Sequence, residues 1–183
     1  MDSAPRKPAL VTSTLNRLPV VRFAGAQPLY LKAPVQPEAF ALLVVGKNNG
    51  SEDTFSRSLG PGGPPNNQLR WESGSEVLAV GPGNDLPVVT THVGDTRAYH
   101  LLTAHYDGRK LDIHMNGHMA GSHQFQPSGP WVLSQEGAYL SQYYGKADLS
   151  EERVYNQASP AEARASVETE LKNPVRAVRV LDT

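Results

Sequence analysis

Residues His100 to Phe125 read HLLTAHYDGRKLDIHMNGHMAGSHQF, and they contain the clearest strand and turn signals of the chain. It contains two turn dipeptides, Asp107-Gly108 and Asn116-Gly117, each flanked by alternating apolar residues. Gly, Asn and Asp tolerate the positive φ angles that tight hairpins require. The stretch therefore predicts a meander of three consecutive antiparallel strands.

The alternation also predicts how these strands pair. If the first turn is centred on Gly108-Arg109, three cross-strand pairs form one apolar face: Tyr106 with Leu111, Ala104 with Ile113, and Leu102 with Met115. We expect this face to be the core, because a slip of one residue would bury the polar face instead. The second turn sets Met115 beside His118 and Ile113 beside Ala120. The opposite face then collects Thr103, His105, Asp112, His114, Met119 and His123.

Composition favours a single all-β domain without a nucleic-acid or membrane partner. The chain has 183 residues, with 16 Gly and 15 Pro, which favour many turns over long helices. Its formal net charge of −1 provides no large basic field. It has no cysteine, which removes disulfides, thiolate chemistry and cysteine-ligated zinc, and we expect no cofactor.

The N-terminal sequence MDSAPRKPALVTSTLNR lacks the apolar core of a secretory signal, and no window approaches a membrane span. We therefore expect synthesis and folding in a cytoplasm, which still permits release on a particle assembled there. Residues 1–15 are interpreted as an extended arm that a neighbouring subunit orders. Residues 16–173 form the sandwich, and residues 174–183 a tail or edge strand.

Strand-like segments recur along the chain at a spacing typical of a sandwich or jelly roll. The continuous apolar run Phe40 to Val45, FALLVV, predicts a strand that is buried on both faces. One helix is predicted, with Ser159 as N-cap, Pro160 at the first helical position and Glu162 closing a capping box. We expect this helix to lie against the sandwich edge and to end near Asn173-Pro174.

Three segments resemble the laminin-G-like, concanavalin-A-type jelly-roll modules of bacterial and bacteriophage proteins. They are NRLPVVRFAG at Asn16 to Gly25, HLLTAHYDGRKLDIHMNG at His100 to Gly117, and ADLSEERVYNQASPAEA at Ala147 to Ala163. The resemblance implies two antiparallel sheets packed face to face, with the ligand site on the concave face and its rim loops. This sequence differs from the family at Ala24, Ala26 and Gln27, where family members usually have acidic residues.

An enzymatic role is not expected. A glycosidase needs two carboxylates about 5–10 Å apart. The close acidic pair on a predicted strand is Glu151-Glu152. Neighbouring strand residues point to opposite faces, so these two carboxylates do not converge on one substrate.

His105, Asp112 and His114 are candidate metal ligands. The predicted register places His105 directly across from Asp112, and imidazole with carboxylate suits zinc or nickel. The alternative is a solvated, histidine-rich sheet face with ordinary cross-strand polar pairs, and we favour it.

Aromatic residues suggest a glycan site at Trp71, Tyr139, Tyr143 and Tyr144. Their ring faces can stack on sugars if they are exposed, although aromatic residues also pack inside cores. Alternation puts Tyr139 and Tyr143 on one face and Tyr144 on the other, so the four residues do not form one platform.

The sequence favours a non-enzymatic attachment protein, a bacteriophage virion component of the head or tail. We expect protein partners in that larger assembly, reached through the N-terminal arm, and several copies of the chain. The alternative is a lectin-like module that binds a surface glycan, and a glycan-active enzyme comes third. A convergent pocket on the concave face would favour the lectin.

Overall fold

A computed structural model describes residues 7–15, 17–24, 29–35, 38–49, 54–58, 68–72, 77–81, 89–92, 97–124, 133–136 and 146–172. The strands of its first half are β1 Ala9–Leu15, β2 Leu18–Ala24, β3 Leu29–Val35, β4 Phe40–Asn48, β5 Thr54–Ser58, β6 Gln68–Glu72 and β7 Val77–Gly81. Those of the second half are β8 Val89–His92, β9 His100–Tyr106, β10 Lys110–Met115, β11 His118–Gln124, β12 Leu133–Glu136 and β13 Lys146–Tyr155. One helix, α1, spans Ala161–Lys172.

The strands form two antiparallel sheets, and the fold is a β-sandwich of the jelly-roll type. One sheet has seven strands in the order β1-β2-β13-β4-β9-β10-β11, and the other has six in the order β3-β12-β5-β6-β7-β8. The predicted architecture of two antiparallel sheets is confirmed.

None of the helical structure in the described residues has the length and apolarity needed to cross a membrane.

The meander is confirmed in its first hairpin and corrected in its second. Tyr106 pairs with Leu111, and the pairs that follow along β9 and β10 are those predicted. The two turns contain the expected positive φ angles, at Gly108, Asn116 and Gly117. The register between β10 and β11 shifts after Ile113.

This shift is a β-bulge, in which two residues of one strand oppose a single residue of its partner. Ile113 pairs with Gly121, whereas His114 pairs with Met119, so Ala120 is the extra residue. Ala120 still packs against the core, as predicted. Because of the bulge, however, His123 pairs with the core residue Leu111 and does not join the polar face.

The seven-stranded sheet is apolar on both faces, and β4 supplies the centre of both. The inner cluster is Phe23, Phe40, Leu42, Val44, Leu102, Ala104, Tyr106, Leu111, Ile113, Ala147 and Leu149. The outer cluster is Ala41, Leu43, Val45, Leu101 and Leu171. The run Phe40 to Val45 is therefore buried on both faces, as its unbroken apolar sequence predicts.

Helix α1 lies over the middle of the outer face, which corrects its predicted position at the sandwich edge. Its residues Val167 and Leu171 pack on Leu43 and Leu101, in the central strands β4 and β9. A short edge contact would leave these central residues exposed, so the helix covers them instead. Its opening hydrogen bond runs from Arg164 N to Pro160 O at 3.0 Å, so the cap lies one residue later than predicted.

Part of the predicted N-terminal arm is a strand of the sheet. Residues Ala9–Leu15 form β1, which pairs with β2 from Ala9 opposite Arg22 to Leu15 opposite Leu18. Strand β1 lies at the end of the strand order, and Leu10 on it is 69% exposed. The predicted tail at 174–183 lies outside the described residues.

Candidate functional site

A row of polar side chains crosses the outer face of the seven-stranded sheet, next to the central residues on which α1 packs. Asp148 on β13 pairs with Arg22 on β2 and with Lys47 on β4. Gly46 pairs with His100, so the same register brings Tyr99 opposite Lys47. In each strand the row residue alternates with inner-face residues, such as Ala147 and Leu149 beside Asp148.

Asp148 is the centre of this row, and its side chain is fully buried. Arg22 donates from Nε to Oδ1 and from Nη2 to Oδ2, both at 2.7 Å. Asn49 Nδ2 donates to Oδ1 at 2.7 Å, and the Tyr99 hydroxyl donates to Oδ2 at 3.0 Å. Each oxygen thus accepts two hydrogen bonds, which is what a buried carboxylate requires.

The charges of the row stabilise one another. Burial alone would raise the pKa of Asp148, but hydrogen bonds from Arg22, Asn49 and Tyr99 hold that pKa below its usual value. The hydrogen bond to Asp148 raises the pKa of Arg22. Burial and the neighbouring Asp148 charge raise the pKa of Tyr99. At neutral pH the row therefore contains a carboxylate, a guanidinium and a neutral phenol.

Lys47 adds a second cation to the row. Its Nζ lies 5.0 Å from the centre of the Tyr99 ring, in cation–π range, and 3.8 Å from Asp148 Oδ2, too far for a hydrogen bond. The side chain of Lys47 is 23% exposed and that of Arg22 is 42% exposed. The row thus offers fixed hydrogen-bond donors and an aromatic ring at the protein surface.

Sequence reasoning missed this row, because its members are far apart in the chain. Arg22 and Asp148 are separated by 126 residues. One signal was available: Asp148 sits alone among Ala147 and Leu149 in a strand-like segment, where an unpaired buried carboxylate would be costly. That signal predicts a partner without identifying it.

The predicted metal residues are not on a solvated face, contrary to the prediction, because Asp112 and His114 are buried and His105 contacts the segment before α1. The structure confirms that His105 pairs with Asp112. His105 Nε2 lies 3.1 Å from Ser159 O, which can only accept, so this nitrogen carries the proton. Asp112 accepts from Ser122 Oγ at 2.6 Å and forms an ion pair with Lys110 at 3.0 Å.

His114 is buried, and its Nε2 has no hydrogen-bond partner. Burial lowers the pKa of His114, and the nearby Arg164 lowers it further, against the opposing effect of Glu168. A second helix contact runs from Thr103 Oγ1 to Glu168 Oε1 at 2.8 Å. Within the described residues, no group of three or more acidic or histidine side chains has the arrangement of a metal site.

The predicted glycan residues are only partly within the described structure. Tyr139, Tyr143 and Tyr144 lie outside it. Trp71 is on β6, where it pairs with Phe55 and Leu78. The role of Trp71 in glycan binding stays a prediction.

No family model matches the sequence, and no curated protein is significantly similar to it. Solved structures are similar in fold. The CBM40 module of the Ruminococcus gnavus IT-sialidase, bound to alpha2,3 sialyllactose, matches with a TM-score of 0.60 and 12% identity over 88% of this chain and 96% of that chain. The alginate lyase AlgAT5, from polysaccharide lyase family 7, has a TM-score of 0.57 and 12% identity over 80% of this chain and 81% of that one.

Trypanosoma rangeli sialidase has a TM-score of 0.57 at 11% identity over 73% of this chain. The chain spans about a quarter of that enzyme, 23% of its length. At such identities the matches establish the fold, which is that of carbohydrate-binding and glycan-active β-sandwiches. They give no support to a bacteriophage or virion origin.

Proposed function

We propose that the protein is a non-enzymatic, lectin-like β-sandwich that binds a glycan. The observation that carries this proposal is the row of Arg22, Asn49, Lys47 and Tyr99, held in place by the buried Asp148. Sugars present hydroxyl groups that accept and donate hydrogen bonds, together with apolar ring faces that pack on aromatic side chains. Donors fixed before binding lose little side-chain entropy when the ligand arrives.

The structural similarities support the same proposal. A module that matches nearly all of this chain is bound to sialyllactose in its own structure, and that module is almost fully covered by the match. A sandwich of this extent is therefore large enough to form a complete sugar-binding unit without further domains.

The carboxylates of the described outer face support binding without catalysis. Asp148 is saturated with hydrogen bonds, so it has no free lone pair to accept a proton from a substrate. Glu151 forms a 2.6 Å ion pair with Arg153. Most glycosidases place two available carboxyl groups on either side of the glycosidic bond, and these two residues do not provide such a pair.

The test is a binding screen of the purified chain against neutral and acidic oligosaccharides, by ligand-observed NMR and calorimetry. We expect binding by the wild type, and a loss of about tenfold in Tyr99→Ala, which removes the ring and one hydrogen bond of the row. Met119→Ala is the matched control, because Met119 is exposed on β11 at the far side of the same sheet.

Absence of binding across the screen would contradict the proposed function. Equal affinities in Tyr99→Ala and Met119→Ala would move the site elsewhere, with the six-stranded sheet as the next region to test. Mass spectrometry of the incubated oligosaccharides checks the non-enzymatic part of the proposal, and cleavage products that increase with protein concentration would overturn it.

Attachment to a larger assembly, such as a virion, is a second candidate, favoured by the edge strand β1. Its outer edge has no neighbouring strand among the described residues, and it exposes Leu10. Unpaired strand edges bind extended segments of partner chains. The two functions are compatible, because β1 and the row occupy different strands of the sheet.

A further inference from the structure

Helix α1 is attached to the outer face by a small apolar contact. In the described structure its residues Val167 and Leu171 pack on the outer cluster, whereas Ala161, Ala163 and Ala165 are exposed. The inner cluster, which joins the strands on the other face of the same sheet, is far larger. Because burial of apolar surface is the main stabilising contribution, removal of α1 from the sheet costs much less free energy than disruption of the inner cluster.

Polar contacts supply the rest of this attachment. Thr103 on β9 donates a hydrogen bond of 2.8 Å to Glu168 on α1, and both residues are buried. Nearer the surface, Arg153 on β13 donates to Glu170 at 3.0 and 3.1 Å, and the side chain of Glu170 is half exposed. Partly exposed ion pairs contribute little to stability, and water replaces these hydrogen bonds once α1 leaves the sheet.

Three buried nitrogens near α1 have no hydrogen-bond partner in the described part of the chain: Nδ1 of His105, Nε2 of His114 and Nε of Arg164. His105 contacts Ser159 O, just before α1. Burial lowers the pKa of His114, and the charge of Arg164 on α1 lowers it further, so His114 lies close to the helix. Arg164 Nε is 3.7 Å from Glu168 Oε1, too far for a hydrogen bond. Buried polar atoms without partners cost free energy that water restores, so these atoms favour opening of the contact.

The surface on which α1 packs continues the row. Leu101 follows Tyr99 by two residues and Val45 precedes Lys47 by two, so each of these pairs shares the outer face. Leu101 and Val45 also pair with each other, one step along the sheet from the row. Removal of α1 would therefore expose an apolar strip, Leu43, Val45 and Leu101, that adjoins the ring of Tyr99.

From this geometry we propose that α1 is a lid, which opens from the outer face as a unit while the two sheets remain folded. Openings of this kind occur at elements with few buried apolar contacts, at a free energy below that of global unfolding. The lid controls how far the outer face is accessible beyond the row. Its opening does not depend on the proposed function and is measured without any glycan.

The experiment uses the absence of cysteine in the chain to place a single thiol on either face of β4. Leu43→Cys puts it in the outer cluster on which α1 packs, and Leu42→Cys puts it one residue away in the inner cluster. The two leucines are 1% and 0% exposed, so a maleimide reaches either thiol only after an opening. Urea unfolding of each variant gives the labelling rate that global unfolding alone allows.

We expect the thiol of Leu43→Cys to react at least about a hundredfold faster than global unfolding allows, because the lid opens more often than the whole chain. The thiol of Leu42→Cys should react at the global rate. Low concentrations of urea should accelerate labelling steeply in Leu42→Cys and only slightly in Leu43→Cys, since opening of the lid exposes little surface.

Two threonine variants, each made in the Leu43→Cys protein, test the attachment of the lid. Thr103→Ala removes the hydrogen bond to buried Glu168 and should accelerate labelling about tenfold. Thr169→Ala is the matched control, because Thr169 is exposed on α1 and its hydroxyl donates to Ala165 O within the helix. The control should label within about twofold of its parent.

Hydrogen exchange of the wild-type chain gives a second readout that needs no substitution. Amide protons of α1 should exchange at urea concentrations where those of β4 and β9 are still protected. Labelling of both thiols at the global rate, or exchange of α1 together with β4, would overturn the inference and make α1 a fixed part of the core. Equal labelling in Thr103→Ala and Thr169→Ala would also overturn it, because the lid would not be held by the Thr103 contact.

Discussion

Arg22 and Asp148 face each other on adjacent strands and form two parallel hydrogen bonds of 2.7 Å, although 126 residues separate them in the chain. Asp148 is completely buried on its side-chain atoms, whereas Arg22 is partly exposed. The pair therefore joins β2 to β13 below the surface and presents a fixed cation above it. The stability of this end of the sheet, and the glycan binding that we propose there, both depend on the same carboxylate.

Asp148→Asn should lower the free energy of unfolding by about 1–3 kcal/mol at pH 7, because an amide cannot accept all the hydrogen bonds that the carboxylate accepts. Urea unfolding measures the change. Glu162→Gln, on the exposed first turn of α1, is the control and should change stability by less than about 0.5 kcal/mol. Equal effects in the two variants would mean that the Asp148 network does not contribute.

The difference in stability between the wild type and Asp148→Asn should depend on pH. The pKa of Asp148 is lowered in the folded state, so its contribution is complete above the unfolded-state pKa of about 3.9 and is lost as pH falls through the folded-state value. The stability difference between wild type and Asp148→Asn should therefore be constant near neutral pH and shrink below about pH 4. A stability difference that grows as the pH falls would contradict this prediction.

Ile113→Ala should cost about 2–5 kcal/mol of unfolding free energy, because Ile113 is buried in the inner cluster and its truncation leaves a cavity. Denaturant unfolding measures this cost. Met119→Ala, on the neighbouring strand but 54% exposed, should remain within about 0.5 kcal/mol of wild type. A loss below about 0.5 kcal/mol in Ile113→Ala would contradict the observed β9–β10 register.

The sequence predicted the local parts of this fold because their signals are local. The Asp107-Gly108 turn defines the β9–β10 register, because the two strands that it joins are adjacent in the chain. The unbroken apolar run Phe40 to Val45 by itself indicates a strand that is buried on both faces. The bulge at Ala120 was not predictable in this way, because Gly121 and Ala120 both fit an apolar position and the alternation alone does not count the extra residue.

The candidate site depends on contacts between distant parts of the chain, and the sequence could not predict it. Alternation shows that Arg22 and Asp148 each face away from the inner cluster, but not which strands lie side by side. For the same reason the sequence predicted α1 as a helix but not its position over β4 and β9. Nothing in the sequence around Leu43 and Leu101 indicates which element packs on them.

Removal of metal ions should not change the thermal midpoint, because two of the three predicted metal residues, His105 and Asp112, already contact other groups. His105 donates to Ser159 O, and Asp112 is held by Ser122 and Lys110. Melts recorded with a chelator, without it, and after addition of zinc should coincide, since an ion that binds the folded state raises the midpoint. A drop of several degrees with the chelator would make His105, Asp112 and His114 the ligands to mutate.

Two N-terminal truncations should distinguish the contribution of the residues before Ala9 to stability from that of strand β1. Deletion of residues 2–8 leaves β1 intact, so we expect stability close to that of the full chain. Deletion of residues 2–15 removes β1 and uncovers Val20, which pairs with Val11 and is 1% exposed. Exposure of one buried valine costs about 1.5–3 kcal/mol, so this truncation should unfold at lower urea.

Light scattering of the same two truncations tests whether the arm is an assembly element. If residues before Ala9 attach the protein to its own copies or to a particle, deletion of residues 2–8 should abolish association while the chain remains folded, because the arm has too few apolar residues to offset its own ordering entropy without a partner. If that truncation unfolds, those residues belong to the sandwich. If it associates like the full chain, the exposed edge of β1 around Leu10 becomes the attachment surface to test, and only the deletion of residues 2–15 should then prevent association.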